Sequence, residues 1–127
     1  MIYDTNFFIA LQGRKKGITA KQARDWAAKD PGALYVPRIV EIEFLAGFAT
    51  DADAAPYLRG FVVLPMDSTV LKETVRIMRE LRIAGGGIGA ADSIIAATAR
   101  LYGLPLVTDN VKHFKRIGGV DVRSFVA

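Results

Sequence analysis

Short apolar runs alternate along the chain with longer segments of helical periodicity. Four runs, at residues 1–3, 34–36, 61–64 and 104–107, are aliphatic or aromatic and are bounded by Asp, Pro, Gly or Thr. Runs of this length and composition are typical of strands that are buried on both faces. We therefore predict four buried strands, with a weaker fifth strand over residues 120–125.

The segments between these runs place apolar residues at helical spacing. Residues 19–29 and 68–82 each align their apolar side chains on one face, and Thr19 and Asp67 are expected to be their N-caps. Three further helices are predicted over residues 39–49, 52–59 and 89–102. Phe7, Phe8 and Trp26 are expected in the core.

Strands and helices that alternate in this way favour a parallel α/β sheet with helices on both faces. We expect one domain, residues 1–127, with about five strands. Ligands of such sheets bind beyond the carboxyl ends of the strands, where the strand order switches. Asp4 ends the first strand, and Thr108, Asp109 and Asn110 follow the fourth. Polar groups from two distant parts of the chain are therefore expected to meet at one edge.

Asp92 is an acid on an apolar helix face. Its neighbours at helical spacing are Ile88, Ile95, Ala96 and Ala99, and no Lys or Arg stands within one turn of it. A carboxylate that is buried without a partner costs several kcal/mol or becomes protonated. The sequence therefore indicates that Asp92 finds a partner elsewhere in the chain or in a ligand.

Glu43 shows a related pattern at the edge of an apolar stripe formed by residues 39, 42 and 46. A structural acid, bonded to backbone amides or to an arginine such as Arg38, is one interpretation. With Asp4 and Asp92, however, three acids would converge, and a pair of like charges ~4 Å apart costs about 4 kcal/mol at an effective dielectric constant of ~20. Convergent carboxylates indicate a divalent cation, and oxygen ligands alone favour Mg²⁺ or Mn²⁺.

Composition excludes several other kinds of site. The 127 residues include no cysteine, so disulfides, thiolate nucleophiles and Cys-bound metals are excluded. One histidine, His113, cannot form a multi-histidine metal site, and we expect it in a loop as a surface contact or a contact to a phosphate or base. No targeting segment is visible, and no apolar stretch reaches the ~18 to 20 residues of a membrane span. A cytoplasmic protein is expected, with no membrane partner.

The balance of charge favours a polyanionic partner. The chain carries 17 basic and 13 acidic residues, a formal net charge of +4. Without Asp4, Glu43 and Asp92, ten acids face 17 basic residues, which leaves +7 for the rest of the protein. A negative pocket within a basic surface is suited to a phosphodiester substrate.

Four motifs, in order, resemble those of the PIN-domain ribonucleases. They are DTN at residues 4–6, EIEFLAGF around Glu43, GAADSIIAATA around Asp92 and LVTDNVKHF at residues 106–114. Within these ribonucleases the chain is most similar to the VapC toxins of toxin–antitoxin pairs, over residues 1 to about 116. The resemblance implies a PIN-like fold with a five-stranded parallel sheet and Mg²⁺- or Mn²⁺-dependent hydrolysis of RNA.

The resemblance also implies roles for individual residues. Asp4 and Asp92 correspond to the principal metal ligands, and Glu43 corresponds to a further acid that holds the metal or its water. Polar contacts that orient the pocket or meet the substrate are implied for Thr5, Asn6, Thr108 and Asn110.

The sequence departs from the family's pattern at a fourth acid. In the family this acid commonly falls two residues after the threonine, where this chain has Asn110, and Asp109 stands one residue earlier. His113 takes the place of another frequent acid, just before Phe114. Asp109, or a water held by Asn110, is expected to fill the fourth catalytic role.

The resemblance further implies an antitoxin protein as partner and a homodimer. Phe44 and Phe48 are candidates for the docking surface, with a place in the core as the alternative. A non-catalytic PIN-like module that binds RNA or protein is the second hypothesis for function. A phosphotransfer or phosphatase domain is the third, although Asn6 stands where a second Asp would be expected.

Overall fold

The computed structural model describes residues 1–126 and contains, in that range, five strands and seven helices. The strands are β1 (Ile2–Tyr3), β2 (Leu34–Pro37), β3 (Phe61–Leu64), β4 (Leu106–Val107) and β5 (Val122–Arg123). The helices are α1 (Thr5–Leu11), α2 (Ala20–Ala28), α3 (Arg38–Ala46), α4 (Asp51–Leu58), α5 (Ser68–Ile83), α6 (Ala90–Tyr102) and α7 (Val111–Phe114). The end of the predicted domain, residue 127, lies outside the described residues.

The five strands form one parallel sheet in the order β3-β2-β1-β4-β5. β1 occupies the centre, where Ile2 is in register with Tyr35 of β2 on one side and Leu106 of β4 on the other. The chain first builds outward from β1 through β2 to β3 and then returns to the other side of β1 with β4. The strand order therefore switches between β1 and β4, and the residues that follow these two strands share one edge.

Both faces of the central strands are covered. Adjacent residues of a strand point to opposite faces, and Ile2, Tyr3, Leu106 and Val107 are all fully buried. Such burial requires helices on each face of the sheet. The predicted α/β fold with a central five-stranded parallel sheet is confirmed.

Two helices, α1 and α7, were not predicted. α1 begins immediately after β1 and buries Phe7 and Phe8 completely, as expected of core residues. Trp26 of α2 is half-buried and packs edge-on against Tyr3, with ring centroids 6.0 Å apart. The predicted N-caps of α2 and α5 are confirmed, because the side chains of Thr19 and Asp67 accept hydrogen bonds from backbone N–H groups of the first turn.

The apolar stripe predicted for α3 is wrong. Val40 and Phe44 point into the core, whereas Ile42 is 47% exposed and Ala46 is exposed. Phe44 is only 4% exposed, and half-buried Phe48 packs edge-on against it with ring centroids 5.0 Å apart. The alternative that these phenylalanines belong to the core therefore holds, and Phe44 provides no docking surface. Within residues 1–126, no helix has the length and hydropathy needed to cross a membrane.

Candidate active site

The site is built around Asp4, at the junction of β1 and α1. Its backbone N–H continues the sheet by donating to the carbonyl of Val107, and its carboxylate caps α1 by accepting from the N–H of Thr5 at 2.7 Å. The residue is 5% exposed. The change from strand to helix within one residue therefore holds a carboxylate at the carboxyl edge of the sheet.

Thr108 and Asn6 fix the second oxygen of this carboxylate. Asp4 Oδ2 accepts from Thr108 Oγ1 at 2.8 Å and from Asn6 Nδ2 at 3.1 Å. Thr108 Oγ1 in turn accepts from Asn6 Nδ2 at 3.2 Å and from the backbone N–H of Asn110 at 3.0 Å. Residues that follow β1 and β4 thus meet in one hydrogen-bond network, as the sequence predicted for this edge.

The environment of Asp4 raises its pKa from 3.8 to about 6. Burial is the largest cause, because it disfavours the ionised form, and the hydrogen bonds from Thr108 and Thr5 oppose it. The negative charges of Asp92 and Glu43 raise the pKa further. The three carboxylates are therefore close enough for their charges to interact, and the sequence predicted that they converge.

Asp92 and Glu43 do not face the core, contrary to expectation. The side chain of Asp92 is 38% exposed on the first turn of α6, and Glu43 is exposed on α3 because the apolar stripe of that helix is formed by Val40 and Phe44. Glu43 Oε1 accepts from Thr5 Oγ1 at 3.1 Å. Both acids lie at the rim of the site, above the buried Asp4.

Arg38 does not neutralise Glu43. Its guanidinium pairs instead with Glu41, three residues along α3. The interpretation of Glu43 as a structural acid satisfied by this arginine is therefore not supported.

His113 lies beside Asp92, in α7 and not in a loop as predicted. Its Nε2 is 3.0 Å from Asp92 Oδ2, within ion-pair distance. The same nitrogen is shielded from solvent and makes no hydrogen bond. The contact joins α6 to α7 across a separation that no local sequence pattern could reveal.

Asp109 and Asn110 lie beside the network. The backbone N–H of Asp109 donates to Asn6 Oδ1 at 3.3 Å, and the Asp109 carboxylate pairs with Lys15 from the segment after α1. Asn110 contacts the network through its backbone, and the residue itself is exposed. Lys15 was not among the predicted site residues, because the basic run Arg14-Lys15-Lys16 is typical of an exposed surface segment.

The donor set suits a hard divalent cation with few protein ligands. Among residues 1–126, no three His, Asp or Glu side chains lie close enough to bind one ion together. Mg²⁺ is commonly held by only one or two carboxylates and completes its shell with water and substrate phosphate. Asp4 and Asp92, with Glu43 at the rim, could hold such an ion, and its charge would offset the repulsion that adds to the effect of burial on the Asp4 pKa.

A groove of about 340 Å³ opens beside Glu43. Glu43 and Thr5, the residue after Asp4, line this groove together with Gln12, Arg14 and Phe48. The groove therefore offers a cation, an amide and an aromatic surface directly beside a site acid.

The protein is an α/β protein with a parallel sheet and acidic residues after β1 and at the start of α6. Comparison with known proteins identifies its family. The model of the PIN domain family matches residues 1–120. Ribonuclease VapC1 of Rickettsia felis is 33% identical to this chain, over 96% of the chain and 93% of that protein.

Solved structures share the fold. DNA-bound VapBC from Salmonella typhimurium superposes with a TM-score of 0.80 at 23% identity, over 98% of this chain and 96% of that chain. A toxin–antitoxin complex from Klebsiella pneumoniae gives a TM-score of 0.74 at 24% identity, over 94% and 93%. The chain belongs to the PIN domain family, and the resemblance seen in its four motifs is confirmed.

Proposed function

We propose that the protein is a metal-dependent endoribonuclease and the toxin of a VapBC-type toxin–antitoxin pair. The observation that carries the proposal is the buried Asp4 carboxylate at the edge of a PIN-domain sheet. The charges of Asp92 and Glu43 lie close enough to contribute to its raised pKa. The full-length relative from Rickettsia felis is named a ribonuclease, which supports RNA as the substrate.

In this proposal Asp4 and Asp92 hold Mg²⁺ or Mn²⁺ directly, and Glu43 at the rim holds its water. The chemistry that such a cation supplies is stabilisation of the negative charge that develops at the phosphodiester. Thr5 and Asn6 hold the Asp4 carboxylate in place and lie partly exposed, where they can also meet the substrate. Thr108 is fully buried, so we assign it to positioning Asp4 and not to direct substrate contact.

Hydrolysis adds water across a P–O ester bond. The water oxygen bonds to phosphorus and gives up one proton. The ester oxygen leaves with the bonding electron pair and takes up one proton. Glu43 is exposed beside the groove, and Thr5 holds one of its oxygens, so it is placed to orient the attacking water. Asp109 and exposed Asn110 complete the polar rim near the substrate path.

An antitoxin protein is the proposed macromolecular partner, and a homodimer the proposed assembly. The structural likeness to a toxin–antitoxin complex supports a scaffold suited to such a partner. An RNA substrate and an antitoxin both place the proposed activity in the cytoplasm.

The proposal is tested by incubating the purified protein with RNA in the presence of Mg²⁺, Mn²⁺ or EDTA. We expect cleavage with either ion and none with EDTA, and restoration when the ion is returned in excess. RNA binding without cleavage under all conditions would contradict the proposal and favour the non-catalytic binding module.

The raised pKa of Asp4 predicts that metal binding weakens in acid. A carboxylate must lose its proton to bind a cation, and Asp4 keeps its proton up to a pH of about 6. The dissociation constant for Mn²⁺ should therefore rise about tenfold for each pH unit below that value and change little above it. Mn²⁺ titrations across this range, followed by electron paramagnetic resonance, measure the effect. A constant affinity on both sides of the Asp4 pKa would contradict the prediction.

A further inference from the structure

Lys15 points inward, toward the carboxyl edge of the sheet. It follows α1 in the run Arg14-Lys15-Lys16, and its ammonium pairs with the Asp109 carboxylate. The two side chains are only 24% and 22% exposed. Lysine is seldom held away from water in this way unless it is paired, and its neighbour Lys16 is exposed.

The pair is connected to the buried acid of the site. The backbone N–H of Asp109 donates to Asn6 Oδ1, and Asn6 Nδ2 donates to Asp4 Oδ2. The residue before Asp109 is Thr108, whose hydroxyl donates to the same oxygen of Asp4. The ammonium of Lys15 therefore lies at the site, because its partner Asp109 directly follows Thr108, which orients Asp4.

The ion pair with Lys15 neutralises the charge of Asp109. Asp109 is the acid nearest to the fourth position of the family's pattern, and free it would be a ligand for a second divalent ion. With Lys15 against it, its charge is already matched, and a second ion would be repelled by the ammonium. Arg14, from the same segment, lines the groove beside Glu43, so the segment brings positive charge to two sides of the acids.

We propose that Lys15 is the second cation of the site: it neutralises Asp109, limits the protein to one divalent ion, and contacts a phosphate oxygen of RNA beside the scissile bond. The proposal rests on the proposed nuclease function and assigns Asp109 as the positioning residue for Lys15. A lysine can contact phosphate as a compact point charge while it keeps a carboxylate partner, because its ammonium has three donors.

The first experiment counts Mn²⁺ ions bound to the full chain at equilibrium by electron paramagnetic resonance. Wild type is expected to bind one ion, Lys15→Met two, and the double variant Lys15→Met/Asp109→Asn one. Lys16→Met, which removes the same charge from the neighbouring exposed position, should bind one ion. A single ion in Lys15→Met, or two in wild type, would overturn the proposal. No binding by wild type would contradict the metal site of the proposed function as well.

The second experiment measures contact with RNA without relying on cleavage. Binding of a labelled single-stranded oligoribonucleotide is followed by fluorescence anisotropy against salt concentration, with Asp92→Asn as the background. Loss of one phosphate contact should weaken binding and reduce the slope of log affinity against log salt by about 0.7 when Lys15→Met is added. Lys15→Arg should keep the slope. Lys16→Met shows how much of any change is due to net charge alone, and an effect as large as that of Lys15→Met would contradict a specific contact.

Discussion

Replacing Asp4 or Asp92 by Asn is expected to reduce metal-dependent RNA cleavage more than about 100-fold. Loss of a residue that merely supports a metal ligand typically costs 10- to 100-fold in affinity or activity, and these two are proposed as the ligands themselves. Asn keeps the size of the side chain and removes its charge. Initial rates of RNA cleavage at saturating Mn²⁺ measure the effect, and Asp25→Asn, in an exposed helical ion pair on α2, is the matched control.

Stability separates this loss from unfolding. The shift of the Asp4 pKa from 3.8 to about 6 means that its folded-state ionisation costs about 3 kcal/mol at neutral pH. This cost is absent below the unfolded-state pKa and is fully present above pH ~6. Asn removes it and, with its amide oxygen toward Thr108 and Asn6, loses the hydrogen bond from the Thr5 N–H, which costs about 1 kcal/mol. Metal-free Asp4→Asn should therefore be no less stable than wild type at neutral pH, and near-parental cleavage by this folded variant would contradict the assignment.

Replacing Phe8 by Ala is expected to lower the free energy of unfolding by about 3–5 kcal/mol. Phe8 is fully buried, and its ring centroid lies 5.3 Å from that of Phe44 on α3 and 4.8 Å from that of Phe61 on β3. Ala would leave a cavity between α1, α3 and the sheet. Denaturant unfolding of the metal-free protein measures the change.

The same substitution should weaken Mn²⁺ binding, because α1 carries Thr5 and Asn6 and begins at Asp4. Leu71→Ala on α5 is the control: its side chain is 59% exposed, and a surface substitution usually changes stability by no more than about 0.5 kcal/mol. Equal stabilities of the two variants would show that Phe8 does not join α1 to the core.

Local pattern was sufficient for most of the secondary structure. The first four strands lie in continuous apolar runs, and α2 and α5 combine a clear period with a side chain that caps the first turn. α1 was missed because its apolar residues, Phe7 to Leu11, form a short run, and a short apolar run does not distinguish helix from strand. α7 has only four residues, too few to show a period.

The predicted convergence of Asp4, Glu43 and Asp92 agrees with the structure, but the predicted burial of Glu43 and Asp92 does not. Asp4 is buried as expected at the end of its strand, but α3 is rotated relative to the predicted stripe, which moves Glu43 to the rim. Phe44 occupies the core in place of Ile42, and its large ring packs there against Phe8 and Tyr57. The contacts of Asp92 with His113 and of Asp109 with Lys15 join distant segments, so periodicity could not indicate them.

The hydrogen bond between Thr108 and Asp4 also sets when the site can exist during synthesis. The Thr108 hydroxyl binds Asp4, and its backbone N–H donates to the carbonyl of Arg123 in β5. The arrangement around Asp4 therefore requires two strands, β4 and β5, that are synthesised long after Asp4 itself. On the proposed function, a nascent chain in which β4 and β5 have not yet been made lacks the completed nuclease site.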